Sequence, residues 1–80
     1  MDFRKIILRK LFRRRVIGGK HTAIEHLTSG VPKHLVGEAK DAVNELIKEG
    51  YIIPKPTSYG VQVSLNQEKI DEIAKSIEDE

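Results

Sequence analysis

Residues 35–65 read LVGEAKDAVNELIKEGYIIPKPTSYGVQVSL, and the order of periods in this stretch decides the fold. Leu35, Ala39, Ala42, Val43 and Leu46 recur at helical spacing within roughly 100° of arc. Gly50 follows as the residue that ends the helix in a left-handed turn, with Lys48 in the last turn where a cation complements the helix dipole. Tyr51-Ile52-Ile53 then reads as a short strand. Pro54 and Pro56 end it, because proline cannot donate to a strand ladder and suits an edge or a loop. Beyond a Pro-rich turn, Val61, Val63 and Leu65 alternate with Gln62 and Ser64, the pattern of a half-buried strand. A helix running straight into a hairpin is therefore expected.

The flanks add helices. Residues 1–17 read as a basic amphipathic helix from Asp2 to about Val16, with Phe3, Ile7, Leu8, Leu11 and Phe12 on one broad apolar face. Lys5, Arg9 and Arg13 lie on the other. That arc is wider than a small core usually needs, so it meets either the C-terminal segment or a second copy of the chain. Gly18-Gly19 breaks the helix, and Lys20-His21 suits a short extended piece. Thr22 stands three residues before Glu25, the spacing of a capping box opening a short second helix. Thr28-Ser29-Gly30-Val31-Pro32 forms the turn, with Gly30 placed to end that helix in a left-handed conformation. Asn66 caps a last helix, in which Ile70, Ile73, Ala74 and Ile77 keep i, i+3, i+4, i+7 spacing.

Composition narrows the function classes. Eighty residues make one domain. The absence of cysteine removes disulfides and thiolate metal sites and fits a cytoplasmic protein. No apolar run approaches the roughly 20 residues needed to span a bilayer, and the basic N-terminus lacks the apolar block of a signal peptide. Residues 1–20 carry a net charge of +7 and the remaining sixty −5, which suggests one face for polyanions and a solvated acidic end reaching Asp79 and Glu80.

The third helix, expected from about Lys33 to Glu49, presents Lys33, Gly37, Lys40, Asn44 and Lys48 opposite its core face, with His34 and Asp41 toward one edge. Long donors reach phosphates and base edges, asparagine can pair with adenine, and a glycine permits close approach. That glycine costs about 1 kcal/mol of helix propensity relative to alanine. Glu38, Glu45 and Glu49 line one flank, available to pair with arginines of the first helix. The hairpin tip adds Lys55, Thr57, Ser58 and Tyr59. Arg9, Arg13, Arg14, Arg15 and Lys20 are expected to add phosphate contacts from the first twenty residues.

The order of elements, with Lys33 to Lys40 followed by Leu46-Ile47-Lys48-Glu49-Gly50-Tyr51-Ile52, resembles winged helix-turn-helix domains of small archaeal transcription-regulator-like proteins. The resemblance covers residues 20–66 well and the flanking helices loosely. It implies a mostly helical α+β fold: a three-helix core with the helix-turn-helix at 22–50, a two-stranded β-wing at 51–65 and an additional C-terminal helix at 66–80. It places Lys33, His34, Lys40 and Asn44 on a DNA-facing helix and Lys55 to Tyr59 on the wing. The Arg13-Arg14-Arg15 run departs from the pattern, since such domains do not require it. The expected function is double-stranded DNA binding in transcription regulation or chromatin, with no cofactor, metal, membrane partner or catalytic residues. A homodimer through the first and fourth helices is expected. A module binding RNA or a protein partner is the alternative.

Overall fold

In the computed structural model, which describes residues 2–78, three α-helices pack with a three-stranded antiparallel sheet. The acidic end at Asp79 and Glu80 lies outside the described residues. Helix α1 spans Phe3–Arg13, α2 Val36–Lys48 and α3 Ile70–Glu78. The strands are β1 (Thr22–Ala23), β2 (Ile52–Thr57) and β3 (Gly60–Leu65), in the order β1-β3-β2. The fold class is therefore α+β, with one strand more than the expected two-stranded hairpin.

Helix α1 starts where Asp2 accepts a hydrogen bond from the Lys5 amide at 3.2 Å, satisfying a donor the first turn leaves free. Phe3, Ile7, Leu8 and Leu11 are buried, and α2, α3 and β3 of the same chain cover them. The wide apolar arc is thus absorbed within the domain. Ile6, 40% exposed, is its largest uncovered apolar side chain among the described residues.

The helix stops three residues earlier than its apolar pattern implies. Arg15 takes a left-handed conformation at φ 57°, its amide donates to the Phe12 carbonyl at 3.1 Å, and the Val16 amide donates to that of Leu11 at 3.1 Å. This pair of bonds is a Schellman ending, with the buried Leu11 and Val16 as its apolar partners. The end of α2 repeats it: Gly50 at φ 85° donates to Ile47, and Tyr51 to Leu46. Glycine fills the left-handed slot of α2, whereas an arginine fills that of α1. Gly30, expected to be left-handed, is not among the residues with positive φ.

After Arg15 the chain runs beside the end of β3, where Leu65 donates to Val16 at 2.8 Å and Gly18 donates to Leu65 at 3.2 Å. The extended piece then forms at Thr22–Ala23, two residues later than expected, pairing Thr22 with Val63 and Ala23 with Gln62. This overturns the capping box. Thr22 is a strand residue whose hydroxyl lies 2.8 Å from His26 Nδ1, and Ala23, with no side-chain acceptor, occupies the cap position. The next segment, Ile24–Leu27, is a single 3-10 turn rather than an α-helix. It is anchored from α1 by Lys10, whose ammonium donates to the His26 carbonyl at 2.6 Å, and by the buried Leu27.

The hairpin corrects a second expectation. Both prolines lie inside β2 rather than beyond it, and the turn shrinks to Ser58-Tyr59 between the paired Thr57 and Gly60. Antiparallel pairs alternate between hydrogen-bonded and non-hydrogen-bonded. Counting back from the closing Thr57–Gly60 pair puts Lys55 and Ile53 on ladder positions, and Pro54 and Pro56 where the nitrogen faces away from β3. Since β2 is an edge strand, no ladder bond is lost. The outward edge loses two donors, which blunts strand addition by another chain.

The junction of α2 and β2 holds the parts together. Arg4 forms a two-pronged ion pair with Glu49, Nη1 to Oε2 at 2.8 Å and Nη2 to Oε1, the expected meeting of the acidic flank with first-helix arginine. Asn66 caps the 3-10 turn Gln67–Lys69 that leads into α3, and its side-chain amide donates to the Gly50 carbonyl at 2.8 Å. Lys69 sits 5.0 Å from the centre of the Tyr51 ring.

Both helix endings and the ion pair generate expected outcomes. Relief of the left-handed arginine should make Arg15→Gly more stable by about 1 kcal/mol, and Gly50→Ala should be less stable by about the same amount. Urea midpoints at constant slope measure both. The Arg4 guanidinium holds the Glu49 carboxyl below its ordinary range. A carboxylate with a lowered folded pKa stabilises the fold above its unfolded pKa of about 4.3, and that stabilisation disappears as pH falls through the folded value. Melting curves of wild type and Glu49→Gln should therefore differ at neutral pH and converge in acid.

Candidate nucleic-acid interface

The inward turn of Ala39, Ala42, Val43 and Leu46 fixes which way the rest of α2 points. At 100° per residue Gly37 and Lys48 lie nearly opposite the buried stripe, Asn44 and Asp41 flank them about equally on either side, and Lys40 lies further round beyond Asn44. All five are exposed. Lys33 and His34 are exposed as well, but they belong to a 3-10 turn, Lys33–Leu35, so they precede the helical stripe instead of continuing it. A Cβ built on Gly37 would meet nothing within 4 Å. No part of this chain therefore requires glycine there, and the helical conformation does not require it either.

Lys40 and Asn44 share a groove of about 400 Å³ with Ile24, Glu25 and Thr28 of the preceding 3-10 turn and with Val36 and Val43. Ile24, Val36 and Val43 make its floor apolar, while Glu25 places a carboxylate beside the lysine. Ile24, Glu25 and Thr28 were not among the expected contact residues. Their position results from the turn that replaces the second helix, and its apolar Ile24 is the one sequence signal for it. Together with Glu38, Asp41 and Glu45, all exposed, Glu25 leaves the α2 face close to neutral.

The hairpin carries the second group. Beyond Ile52 every residue of β2 is exposed, as are Gly60 and Val61 at the start of β3, so the distal half stands out from the body. At its tip the Thr57 hydroxyl donates to the Gly60 carbonyl at 2.7 Å and accepts from the Tyr59 amide at 3.2 Å. Thr57 thus holds the turn and is not available as a contact in the way Lys55, Ser58 and Tyr59 are. Tyr59 is 98% exposed.

The third group lines a groove of its own. Arg9, Arg13 and Arg14 line a shallow groove of about 320 Å³ on α1 with Ile6 and Lys10. Since α1 buries its other side against α2, α3 and β3, this groove faces away from the shared core, as does the outer face of α2. No residue lining this groove also lines the one beside Lys40. Arg15 is exposed just past the helix end, and Lys20 is exposed in the loop before β1, outside the α1 groove.

Gly37→Ala is the sharpest probe of the α2 face. It should fold normally and gain up to about 1 kcal/mol of stability from helix propensity. If a partner approaches the backbone there, its binding should weaken at the same time; unfolding and binding titrations on one sample read both. Comparison with protein-family models, curated proteins and solved structures finds no match for this chain, so its functional reading rests on geometry and charge.

Proposed function

We propose that this chain is a winged helix-turn-helix protein that binds double-stranded DNA as a transcriptional regulator or chromatin-associated factor. Helix α2 enters the major groove and the β2–β3 hairpin lies beside it as the wing. The observation that carries the reading is the open Gly37 on an exposed face beside Lys40, Asn44 and Lys48. Helix propensity disfavours glycine, and nothing in the chain needs the space. Close approach of an outside backbone accounts for it. The projecting hairpin supports the same reading, with Lys55 as its only charged residue and with prolines that stiffen its free edge.

In this arrangement Lys33, Lys40 and Lys48 neutralise phosphates, and Asn44 pairs with an adenine edge. The acids around α2 make the docking angle matter. Asp41 and Glu45 have to face away from the nearer strand, which tilts the helix toward Lys33 and Lys40. Docking of a protein partner on the α1 apolar face loses its basis, because the chain covers that face itself. RNA remains the second reading, favoured by the exposed Arg13–Arg15 run.

Titration of labelled duplex across salt concentrations tests the proposal. Binding should fall with a slope of about −0.9 per phosphate contact on a log–log plot. Lys33→Ala should weaken all sequences alike and flatten the slope by about one, whereas Asn44→Ala should change preference among sites. A flat salt response, or structured RNA outcompeting duplex DNA, would sink the DNA reading.

A further inference from the structure

Among the described residues Ser64 is the only polar one that is buried, at 3% exposed. Its neighbours Val63 and Leu65 turn into the core, so alternation along β3 turns Ser64 to the opposite side of the sheet. Its cross-strand partner Ile53 stands on that side too and is 43% exposed. Buried polar groups in folded proteins are almost always hydrogen-bonded. The Ser64 hydroxyl forms no hydrogen bond with any described residue, and Ser64 borders a groove of about 510 Å³ that Ile53 also lines. A partner from outside the chain reaches the hydroxyl through this groove.

The groove is built around that position. On the side away from β2, the chain after α1 runs past the end of β3, with Ile17 bridged to Leu65 and the Gly18 amide donating to the Leu65 carbonyl. Gly18 has φ 63°, and a Cβ on it would lie 2.8 Å from Gln67 Oε1. Glycine therefore lets the Gln67 amide lie against the backbone at the groove wall. His21 and Glu68 complete the polar lining. Neither side chain, nor that of Gln67, has a hydrogen bond or ion pair among the described residues. The Asn66 side chain is occupied with the Gly50 carbonyl and the Glu68 amide. Unlike the grooves on α1 and beside α2, this one is lined by no lysine or arginine and holds one carboxylate, that of Glu68.

We propose that this groove binds a primary aliphatic ammonium group, as carried by a free alkyl amine or by a lysine side chain. An anion would face a carboxylate with no lysine or arginine to meet it, and a purely apolar ligand would leave the Ser64 hydroxyl without a partner. An ammonium brings three N–H donors. The Glu68 carboxylate, the Ser64 hydroxyl oxygen and the Gln67 amide oxygen are three acceptors on the lining. The methylene chain behind the ammonium packs on the exposed side of Ile53. The site shares no residue with the groove beside α2 or with the one on α1, so it stands apart from the duplex reading and does not rest on it.

Amide chemical-shift mapping on the full chain tests the site, with n-butylammonium as the probe. Saturable shifts are expected at Gly18, Ile53, Ser64, Gln67 and Glu68. Tetramethylammonium has the charge without N–H donors and n-butanol the chain without the charge, and each should bind at least about tenfold more weakly. Ser64→Ala should lose about tenfold in affinity while unfolding at the same or a higher urea concentration, since the fold makes no use of that hydroxyl. The Glu68 side chain takes no part in the cap, and Glu68→Gln should lose as much affinity. A blocked lysine, Nα-acetyl-lysine amide, separates the sources. Tighter binding than n-butylammonium assigns the site to a lysine of a partner chain, and equal or weaker binding assigns it to a free amine. Shifts that do not saturate at these residues would overturn the proposal. So would tetramethylammonium binding as tightly as n-butylammonium, or unchanged binding by Ser64→Ala.

Discussion

The left-handed turn at Gly50 is the constraint on which the arrangement of the other elements depends. It ends α2 and sends the chain into β2, with Gly50 at φ 85° allowing both Schellman bonds to close. Contacts made within one residue of it position three other parts of the molecule. Arg4 brings the start of α1 to Glu49; Asn66 ties the end of the hairpin to the Gly50 carbonyl and the Tyr51 carbonyl; Lys69 brings the turn before α3 over Tyr51. The same junction sets the outlook of α2. Because both ends of α1 are held, by Arg4 at Glu49 and by Lys10 at His26, the helix lies along the inner side of α2 and leaves the opposite stripe uncovered.

Much of this arrangement can be read from the chain before folding. The period of Leu35 to Leu46, the glycine after it and the Asn66 cap find their counterparts, because each is a local signal for which no strong competitor exists nearby. The alternation from Val61 to Leu65 locates a strand but not its faces, since Val61 is exposed and Ser64 is buried. The misreadings have competitors. Thr22 and Glu25 have capping-box spacing, but pairing with Val63 draws Thr22 into the sheet, and His26 takes its hydroxyl. Pro54 and Pro56 read as strand breakers because their tolerance depends on register and on β2 lying at an edge, neither of which is local. The α1 ending carries no mark at all: a left-handed arginine has no sequence signature, and two glycines at 18 and 19 offer an obvious but later stop.

The candidate site was less legible than the fold, for an electrostatic reason. Helical spacing correctly puts Gly37, Lys40, Asn44 and Lys48 on the exposed stripe of α2. It cannot say which cations from elsewhere join them. Charge counted along the sequence makes the first twenty residues look like a reserve of affinity for the third helix. In three dimensions Arg4 and Lys10 are taken up by the fold, and Arg13 and Arg14 line a groove that shares no residue with the one beside Lys40. The groove beside Lys40 instead gains Glu25, from a turn whose backbone path depends on the strand before it.

That separation alters what the net charge means. At long range the charges of the two parts add, so a distant polyanion meets a net charge of only +2. Orientation on arrival is decided at shorter range, where screening within about 10 Å isolates one face from another. The near-neutral α2 face attracts a polyanion weakly, and in the proposed docking its acids penalise a misplaced phosphate as much as its lysines reward a correct one. The α1 face has the opposite character. Two helices that share one core thus differ in charge: arginine and lysine line the groove on α1, whereas Lys40 and Glu25 share the groove beside α2.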